Sequence, residues 1–497
     1  MTVVVVLACT AAAALATLRW LRIAQREHYL SGSVTRFALR WWLATPLGTV
    51  LAVAAGVATV ATIWWIPAAL VVAAVEGFGP PGLRLKGSSS SLAWTDRARR
   101  LAIAMGVVIG GGIVIGLLVH PVVTAAVCLL LPAGVDLGLA VMKPVEVKLG
   151  ASWVNRAAAT LRSSGATVVA ITGSYGKTST KGYVAHLLGG VRTVLASPAS
   201  FNNRMGLARA INENLTGTVD VFVAEMGTYG PGEIADLCTW ITPQVGVITA
   251  IGPVHLERFG NEERIVEAKA EILARAETAV INTDDTRLAA LADREAARLR
   301  VIRAGSGEAA DVQVQPDGTV LVSGQTIGRA PATVHPTNLA CAVGVVAALG
   351  IEPAEVADRL ATVPEPAHRR TLATGTSGVR IIDDTFNSNP AGASAALAML
   401  QELDVTGRRV VVTPGMVELG SRQKGENRHF GEAAARIADV VIIVGRTNRR
   451  ALVEGAAHGP GGVMTMSTRE EAVGWVKANL GPEDAVLYEN DLPDHYP

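Results

Sequence analysis

The chain has 497 residues, of which 50% are hydrophobic and 18% are charged, and its mean hydropathy is +0.35. That composition is too apolar for an ordinary soluble enzyme. The net charge of +1 and the lack of a basic stripe interleaved with aromatic residues give no support for nucleic acid as a partner. The four cysteines are scattered without metal-ligand spacing, so we expect them to be reduced and structural.

The apolar excess lies in the first part of the chain. Nearly charge-free segments occupy residues 3–18, 44–78, 101–119 and 121–142. A helix of about 20 residues spans a hydrocarbon core of ~30 Å. Residues 44–78 are too long for one upright helix, and Trp64, Trp65 and Pro67 in their middle predict a hairpin that turns at the membrane surface. The sequence therefore predicts a transmembrane helical bundle of five crossings over residues 1–142.

Basic residues in short loops mark the cytoplasmic side of a membrane protein. Here they fall in three loops, with Arg19, Arg22, Arg26, Arg36 and Arg40 in the first, Arg84, Lys86, Arg97, Arg99 and Arg100 in the second, and Lys143 and Lys148 in the third. An outside amino terminus places all three in the cytoplasm. We expect a multi-pass cell-membrane protein in contact with lipid. The basic loop 79–100 either sets this topology or contacts a pyrophosphate.

Residues 168–188, VVAITGSYGKTSTKGYVAHLL, combine a buried-strand pattern, a glycine turn and a helical pattern. The backbone N–H groups of such a helix start converge on an anion. Lys177 would reach the β and γ phosphates, and Thr178 would offer its hydroxyl to Mg²⁺. The glycines are closer together than in the usual phosphate loop, so a plain glycine turn before a helix is the alternative. The predicted ATP-binding residues are Gly173, Ser174, Tyr175, Gly176, Lys177, Thr178 and Ser179.

Two further candidates follow apolar strand patterns. Glu225 ends the run VDVFVAE, and His255 lies in the loop after VGVITAI. Ligand groups collect at the carboxyl ends of strands in an open parallel sheet, so both side chains would meet the phosphate loop. Glutamate and imidazole are plausible metal ligands. The alternatives are a helix-capping role for Glu225 and an ordinary loop histidine.

Several segments in this order resemble the Mur ligases, most closely the branch that adds D-alanyl-D-alanine to a muramoyl peptide. They are TGSYGKTSTK, SFNNRMGLARA, AEMGTYGPGEIADL, ITAIGPVHLERFGNEERIVEAKAEIL, INTDDTRL, RIIDDTFNSNP and VTPGMVELG. The resemblance implies a connector at 143–164, a central parallel-sheet P-loop ATPase domain at 165–362 and a Rossmann-like α/β domain at 363–497. Residues 306–330 alternate like a hairpin insertion with Asp317-Gly318 as its turn.

The resemblance also implies a reaction in which ATP phosphorylates a carboxylate and an amine attacks the acyl phosphate. By this resemblance Lys177 binds phosphate, while Thr178, Glu225 and His255 hold Mg²⁺. Lys269 matches a lysine that is carbamylated in the family, which would make it an oxygen ligand; alone, it would be an exposed helix lysine. The remaining matches are Asn282, Asn338, Arg369 and Asp384 at the nucleotide, and Asn202, Asn203 and Asn387 at the substrate.

Some positions depart from the family pattern. His335 replaces an asparagine, Phe386 a tyrosine and Gly415 an acid, and the chain ends in LYENDLPDHYP where a basic, glycine-containing ending is usual. The identity of the incoming amine, an amino acid or a dipeptide, therefore stays undecided. The predicted membrane helices occupy the position in the chain where the family has a domain that binds a UDP-linked substrate.

We hypothesise a carboxylate substrate that is presented at the membrane, on a polyprenyl-linked bacterial cell-wall precursor or a growing anionic polymer. A free UDP-linked substrate stays open if a partner supplies the missing grip. The alternatives are a polymer synthase of the poly-γ-glutamate type and a membrane scaffold without catalysis. Intact Lys177, Thr178, Glu225, His255 and Lys269 argue against the scaffold.

Overall fold

The computed structural model describes residues 1–85, 91–198, 201–254, 256–331, 333–364, 371–385 and 389–492. The α-helices are α1 Thr2–Arg26, α2 Ser33–Leu43, α3 Pro46–Ala61, α4 Ala69–Phe78, α5 Asp96–Leu118, α6 Val122–Leu129, α7 Leu131–Ser164, α8 Lys177–Leu188, α9 Arg204–Asn214, α10 Glu233–Cys238, α11 Leu256–Phe259, α12 Glu262–Ala270, α13 Thr286–Glu295, α14 Pro336–Ala348, α15 Ala357–Leu360, α16 Pro390–Glu402, α17 Gln423–Ile437, α18 Arg449–Ala456 and α19 Arg469–Asn479. Short 3-10 helices occupy Ile66–Ala68, Glu271–Leu273, Pro353–Val356 and Gly420–Arg422.

The strands are β1 Thr167–Thr172, β2 Val194–Ala196, β3 Val221–Glu225, β4 Val245–Ile248, β5 Thr278–Asn282, β6 Arg300–Gly305, β7 Val312–Val314, β8 Thr319–Val322, β9 Gln325–Arg329, β10 Thr371–Thr374, β11 Arg380–Asp384, β12 Arg409–Thr413, β13 Val440–Val444, β14 Gly462–Met466 and β15 Ala485–Glu489. The chain separates into two compact units, one mainly Met1–Leu149 and the other mainly Gly150–Val444 with Asn448–Asp491.

The amino-terminal unit is a helical bundle packed around α1. Its core includes Val5, Cys9, Trp20 and Met105, while apolar side chains such as Leu7, Val53 and Val107 are exposed. Among the described residues, α1 and α5 are long and apolar enough to cross a membrane. The count rises to four if the bent pairs α2 with α3 and α6 with α7 are each one span.

This count differs from the five predicted crossings. The predicted turn in residues 44–78 is present, because α3 ends at Ala61 and helical structure resumes at Ile66. However, the two arms of that hairpin have only 16 residues in α3 and 13 in Ile66–Phe78, fewer than the ~20 of an upright span. The predicted boundary at residue 142 falls inside α7, which continues for 34 residues through the expected connector.

The second unit begins with a nine-stranded sheet in the order β2-β3-β1-β4-β5-β6-β7-β8-β9. β2 to β7 pair in parallel, and β8 and β9 add antiparallel strands. The predicted Asp317-Gly318 turn joins β7 to β8, with Gly318 at φ +89. A second turn at Ser323-Gly324 makes the insertion three-stranded rather than a single hairpin. β1 lies between β3 and β4, so its carboxyl end faces the crevice where the strand order changes.

A six-stranded sheet follows in the order β10-β11-β15-β12-β13-β14. All its pairs are parallel except the edge pair of β10 and β11. Apolar side chains cover both faces, with α16, α17 and α18 contributing to one core and α19 to the other. The two predicted α/β domains are thus present as two separate parallel sheets.

Candidate active site

The phosphate loop joins β1 to α8 and is held in a tight conformation. A Cβ at Gly173 would lie 2.0 Å from Thr249 Oγ1 and 2.9 Å from the Tyr175 carbonyl oxygen. Gly176 adopts φ +78, and a Cβ there would lie 2.1 Å from Asn338 Oδ1. Larger residues would therefore collide at both positions. The Thr249 hydroxyl donates to the Tyr175 carbonyl, which fixes the middle of the loop.

Lys177 and Thr178 form the amino terminus of α8. Lys177 Nζ donates to the Gly173 carbonyl at 2.7 Å, so the ammonium folds over the loop. Thr178 Oγ1 donates to Glu225, at 3.0 Å to Oε2 and 3.2 Å to Oε1. Register explains this meeting, because Ile171 of β1 pairs with Glu225 at the end of β3. The predicted association of the loop with Glu225 is present.

Lys181 is a site residue that the sequence analysis missed. Its Nζ lies 2.9 Å from Glu225 Oε2, and both side chains are buried. Burial alone would raise the pKa of Glu225, but Lys181, Lys177 and the Thr178 hydroxyl outweigh it and lower the pKa below its ordinary value. Glu225 is therefore ionised at neutral pH and ready to bind a cation. The available signal in the sequence was that Lys181 follows Lys177 by four residues, one turn of helix α8.

Lys269 lies near the end of α12 and is 4% exposed. It is thus a core residue and not an exposed helix lysine. Burial, and secondarily the neighbouring positive charge of Lys177, lower the pKa of Lys269 well below its ordinary value. This shift favours the neutral form of the amine, which lies near the phosphate loop. A neutral amine is the form of lysine that reacts with carbon dioxide to give a carbamate, so the chemistry fits the carbamylation that the resemblance implies.

The other predicted loop residues have defined neighbours. Ser174 Oγ donates to the Gly252 carbonyl at 3.3 Å, and Ser179 is buried in the first turn of α8. The Tyr175 hydroxyl is buried and has no hydrogen-bond partner among the described residues, and burial raises the pKa of this phenol. Asn282 Nδ2 donates to the Thr249 carbonyl at 2.7 Å, so this amide ties the end of β5 to the strand end that holds the loop. A contact of Asn282 with adenine stays a prediction.

The predicted substrate and nucleotide residues are divided between the two sheets. Asn202 lies beside Gly227, just beyond Glu225, whereas the exposed Asn203 caps α9 by accepting from Gly206 N at 3.0 Å. Asn338 packs on Gly176. Asp384 ends β11 in the second sheet and is buried. The predicted His255, Arg369 and Asn387 lie outside the described residues.

Glu489 is a second buried acid that the sequence analysis did not single out. It ends β15 beside Asp384, its register partner on β11, and is 0% exposed. Thr413 Oγ1 donates to Oε2 at 2.5 Å, while Oε1 has no hydrogen-bond partner in the described part of the chain. Burial raises the pKa of Glu489 to about 8, with Asp384 adding to the rise. The second sheet therefore carries a largely protonated acid at neutral pH.

Ion pairs join the two sheets of this unit near the phosphate loop. Arg422 Nη1, from the loop that follows β12, lies 2.7 Å from Glu262 Oε1 of α12. Arg287 of α13 also pairs with Glu262. Arg258 lies 3.9 Å from Glu418 in a second contact of the same kind. The carboxyl ends of the strands in the two sheets are thus connected across the site.

The described residues fit Mg²⁺ in part. The hydroxyl of Thr178 and the ionised carboxylate of Glu225 lie within 3.0 Å of each other at a helix amino terminus, and Mg²⁺ prefers oxygen ligands. No group of three or more His, Cys, Asp and Glu side chains suited to a metal is present among the described residues. Bound water, phosphate oxygens and a Lys269 carbamate would supply further oxygen ligands.

Fold and site together define a class of protein, the phosphate-loop proteins that bind a nucleoside triphosphate with Mg²⁺. Comparison with known families narrows this class. Residues 171–340 match the Mur ligase middle domain, and residues 368–488 match the Mur ligase glutamate ligase domain. The chain belongs to the Mur ligase family, as its sequence motifs predicted. It is accordingly an ATP-dependent ligase that uses Mg²⁺.

Individual relatives agree with this assignment. The chain is 32% identical to the UDP-N-acetylmuramoyl-tripeptide–D-alanyl-D-alanine ligase of Mycobacterium leprae, over 66% of this chain and 72% of the relative. It is 32% identical to the UDP-N-acetylmuramoyl-L-alanine–L-glutamate ligase of a Micromonospora species, over 53% of this chain and 56% of the relative. The crystal structure of MurF ligase from Thermotoga maritima in complex with ADP has a TM-score of 0.58 and 26% identity, over 68% of this chain and 80% of that chain.

Proposed function

We propose that the chain joins the carboxylate of a muramoyl-peptide precursor to an incoming amine through an acyl phosphate. The supporting observation is the cluster of Lys177, Thr178 and the ionised Glu225 with the buried Lys269 nearby, whose pKa is lowered. Such a cluster suits phosphoryl transfer, which depends mainly on positioning and charge neutralisation.

Each group has a role in the proposed reaction. The carboxylate oxygen of the acceptor attacks the γ phosphorus, ADP leaves, and the amine then displaces phosphate from the acyl carbon. Lys177 neutralises the phosphate oxygens, and Glu225 and Thr178 hold Mg²⁺, which when bound reduces repulsion between the anions. The ion pair of Arg422 with Glu262 links the second sheet to the domain that carries the phosphate loop. Closure of the two domains over ATP would exclude water that would hydrolyse the acyl phosphate.

The incoming amine is proposed only by class, as an amino acid or a dipeptide. The relatives named above carry two different amine substrates in their names, D-alanyl-D-alanine in one and L-glutamate in the other. Because the amines in these names differ, relatives with the same core accept different amines, and D-alanyl-D-alanine is one candidate for this chain. In this chain Glu489 and Asp384 place two acids at the strand ends of the second sheet.

We propose that the acceptor is presented at the cytoplasmic membrane surface, with both ligase domains in the cytoplasm. Two apolar helices of membrane-spanning length and many exposed apolar side chains support this location. Residues 1–149 carry twelve lysines and arginines against five acids, a net charge of +7, which favours anionic lipid. A lipid-linked muramoyl peptide is the substrate that uses this unit as a handle, and a soluble UDP-linked acceptor is the competing substrate.

The test is phosphate release by the full-length protein in nanodiscs with Mg²⁺ and ATP, using matched lipid-linked and UDP-linked muramoyl peptides. Single amino acids and D-alanyl-D-alanine serve as amines, and Lys177→Ala is the inactive control. Turnover that needs the lipid-linked acceptor would support the proposal. Equal turnover with the UDP-linked acceptor would indicate that the amino-terminal unit only anchors the protein to the membrane. The absence of phosphate release with every acceptor and amine would contradict the ligase function.

A further inference from the structure

Lys181 and Glu225 form a buried ion pair beside the phosphate loop. Lys181 Nζ lies 2.9 Å from Glu225 Oε2, and the two side chains are 7% and 5% exposed. Lys181 belongs to α8 and follows Thr178 by three residues, so both side chains leave the same face of this helix. The carboxylate of Glu225 is therefore held by a hydroxyl and an ammonium that come from one helix.

The two carboxylate oxygens of Glu225 have different surroundings. Oε2 has Lys181 Nζ at 2.9 Å and Thr178 Oγ1 at 3.0 Å as neighbours. Oε1 has the longer contact with Thr178, at 3.2 Å. The hydroxyl of Thr178 has one proton, so it donates to one of these oxygens at a time. Because the ammonium lies against Oε2, Oε1 is the oxygen that is left for a metal ion.

The backbone that carries Glu225 is fixed on both sides. The Glu225 N–H donates to Ser197 Oγ at 3.1 Å, and Ile171 of β1 is the register partner of Glu225. The next residue, Met226, donates from its N–H to the Ile171 carbonyl at 2.8 Å. Because the end of the strand is anchored, the orientation of the carboxylate depends on its side-chain contacts, and Lys181 makes the shortest of those described above.

The charge of Lys181 by itself acts against the binding of a cation to Glu225. Like charges repel, and the repulsion is stronger where water is excluded. The contribution of Lys181 to a metal site is therefore one of position. Its Nζ lies at ion-pair distance without the angles of a hydrogen bond to any described residue, so the contact depends on charge and packing. A neutral side chain at position 181 would release Oε2, whereas an arginine would keep a cation beside it.

We propose that Lys181 is a positioning residue that limits Glu225 to one oxygen for the metal ion and thereby selects Mg²⁺ over Ca²⁺. Mg²⁺ demands a small octahedral set of oxygen ligands, whereas Ca²⁺ takes about six to eight and readily accepts both oxygens of one carboxylate. With Lys181 against Oε2, Glu225 offers one oxygen only. The inference rests on the proposed function for the assignment of Thr178 and Glu225 as metal ligands.

The test is competition of Mg²⁺ and Ca²⁺ with Mn²⁺ that is bound to the full-length protein and ADP in detergent. Electron paramagnetic resonance measures the displaced Mn²⁺, and the same titration without protein corrects for metal bound to free ADP. In the unmodified protein we expect Mg²⁺ to displace Mn²⁺ at a lower concentration than Ca²⁺ does. In Lys181→Met the ratio of the Ca²⁺ to the Mg²⁺ dissociation constant should fall at least fivefold.

Three further variants separate position from fold. Lys181→Arg should keep the ratio within twofold of the unmodified protein, because a cation stays beside Oε2. Lys477→Met, which changes an exposed lysine on α19, is the matched control and should leave the ratio unchanged. Lys181→Ala replaces Lys181→Met in the measurement if thermal unfolding shows that Lys181→Met does not fold.

The possible outcomes distinguish this inference from the proposed reaction. An unchanged ratio in a folded neutral variant, or equal weakening of Mg²⁺ and Ca²⁺ binding, would overturn the proposal. Failure of the unmodified protein to bind Mn²⁺ with ADP would contradict the metal site and, with it, the role of Lys181. Because no acceptor or amine is present, none of these outcomes depends on whether the amide-forming reaction is correctly assigned.

Discussion

Burial decides the chemistry of Lys269. Burial lowers the pKa of Lys269 well below its ordinary value, which favours the neutral, nucleophilic amine. We predict that Lys269→Ala lowers ATP turnover at least a hundredfold, because the proposed carbamate ligand is lost. Millimolar formate or acetate should restore part of the activity by filling the vacated space.

Phosphate release with and without the added carboxylate measures this effect. Lys424→Ala, which removes a lysine that is 70% exposed on α17, is the control and should keep full turnover. A Lys269→Ala enzyme as active as the unmodified protein would exclude a role for this lysine in the reaction.

Glu489 makes the stability of the second sheet depend on pH. Its folded pKa is about 8 against an ordinary value of 4.5, so the folded state keeps a proton that the unfolded state loses. Stability attributable to this group is therefore full below about pH 4.5, falls as pH rises toward 8, and is level above that. The total loss is on the order of 5 kcal/mol.

Glu489→Gln should remove this loss, and its stabilising effect should be larger at pH 8 than at pH 5. Thermal unfolding at the two pH values measures it, with the exposed Glu483→Gln as control. A stabilisation that is the same at both pH values would contradict the raised pKa.

At the scale of elements, the phosphate loop was predictable because its signals are local. A β-branched run, two glycines and a lysine fix strand, turn and helix within residues 168–188, and the observed β1 and α8 agree with them. Lys181 and Glu489 were not recognised because their significance depends on contacts across the sheets. Lys181 meets Glu225 only through the pairing of β1 with β3, and Glu489 meets Thr413 only through the pairing of β12 with β15.

A contact between α12 and the loop after β12 joins the two domains in the proposed closure. Arg422 bridges Glu262 in one domain and Glu426 in its own. Because Arg422 is 49% exposed, the pair contributes at most about 1 kcal/mol. We predict that Arg422→Gln lowers kcat/KM for ATP two- to fivefold, with little change in the unfolding temperature.

Steady-state kinetics at low and high salt measure this prediction, and the difference from the unmodified protein should shrink as salt rises. Arg436→Gln is the matched control, because Arg436 pairs only with Glu432 of its own helix among the described residues. An equal loss in both variants would show that the effect is not due to the contact between domains.

At the scale of the whole molecule, composition separated the apolar first part from the α/β remainder, and two parallel sheets are present where they were predicted. The path of the helices in the amino-terminal bundle was harder to predict from the sequence. Apolar length cannot distinguish a straight helix from one that bends, and two helix pairs bend by 116° and 72°. The continuous α7 was hidden because its second half is polar and reads as a connector.

In the proposed reaction ATP activates a carboxylate for attack by an amine, and the fate of the carboxylate oxygen is the most direct test of this step. The full-length protein would be given an acceptor labelled with ¹⁸O in its carboxylate, together with ATP and the amine that supports turnover. We predict that one ¹⁸O atom appears in inorganic phosphate for each amide formed, measured by mass spectrometry. Phosphate without label would mean that ATP is hydrolysed by water or that no acyl phosphate forms, and it would contradict the proposed reaction.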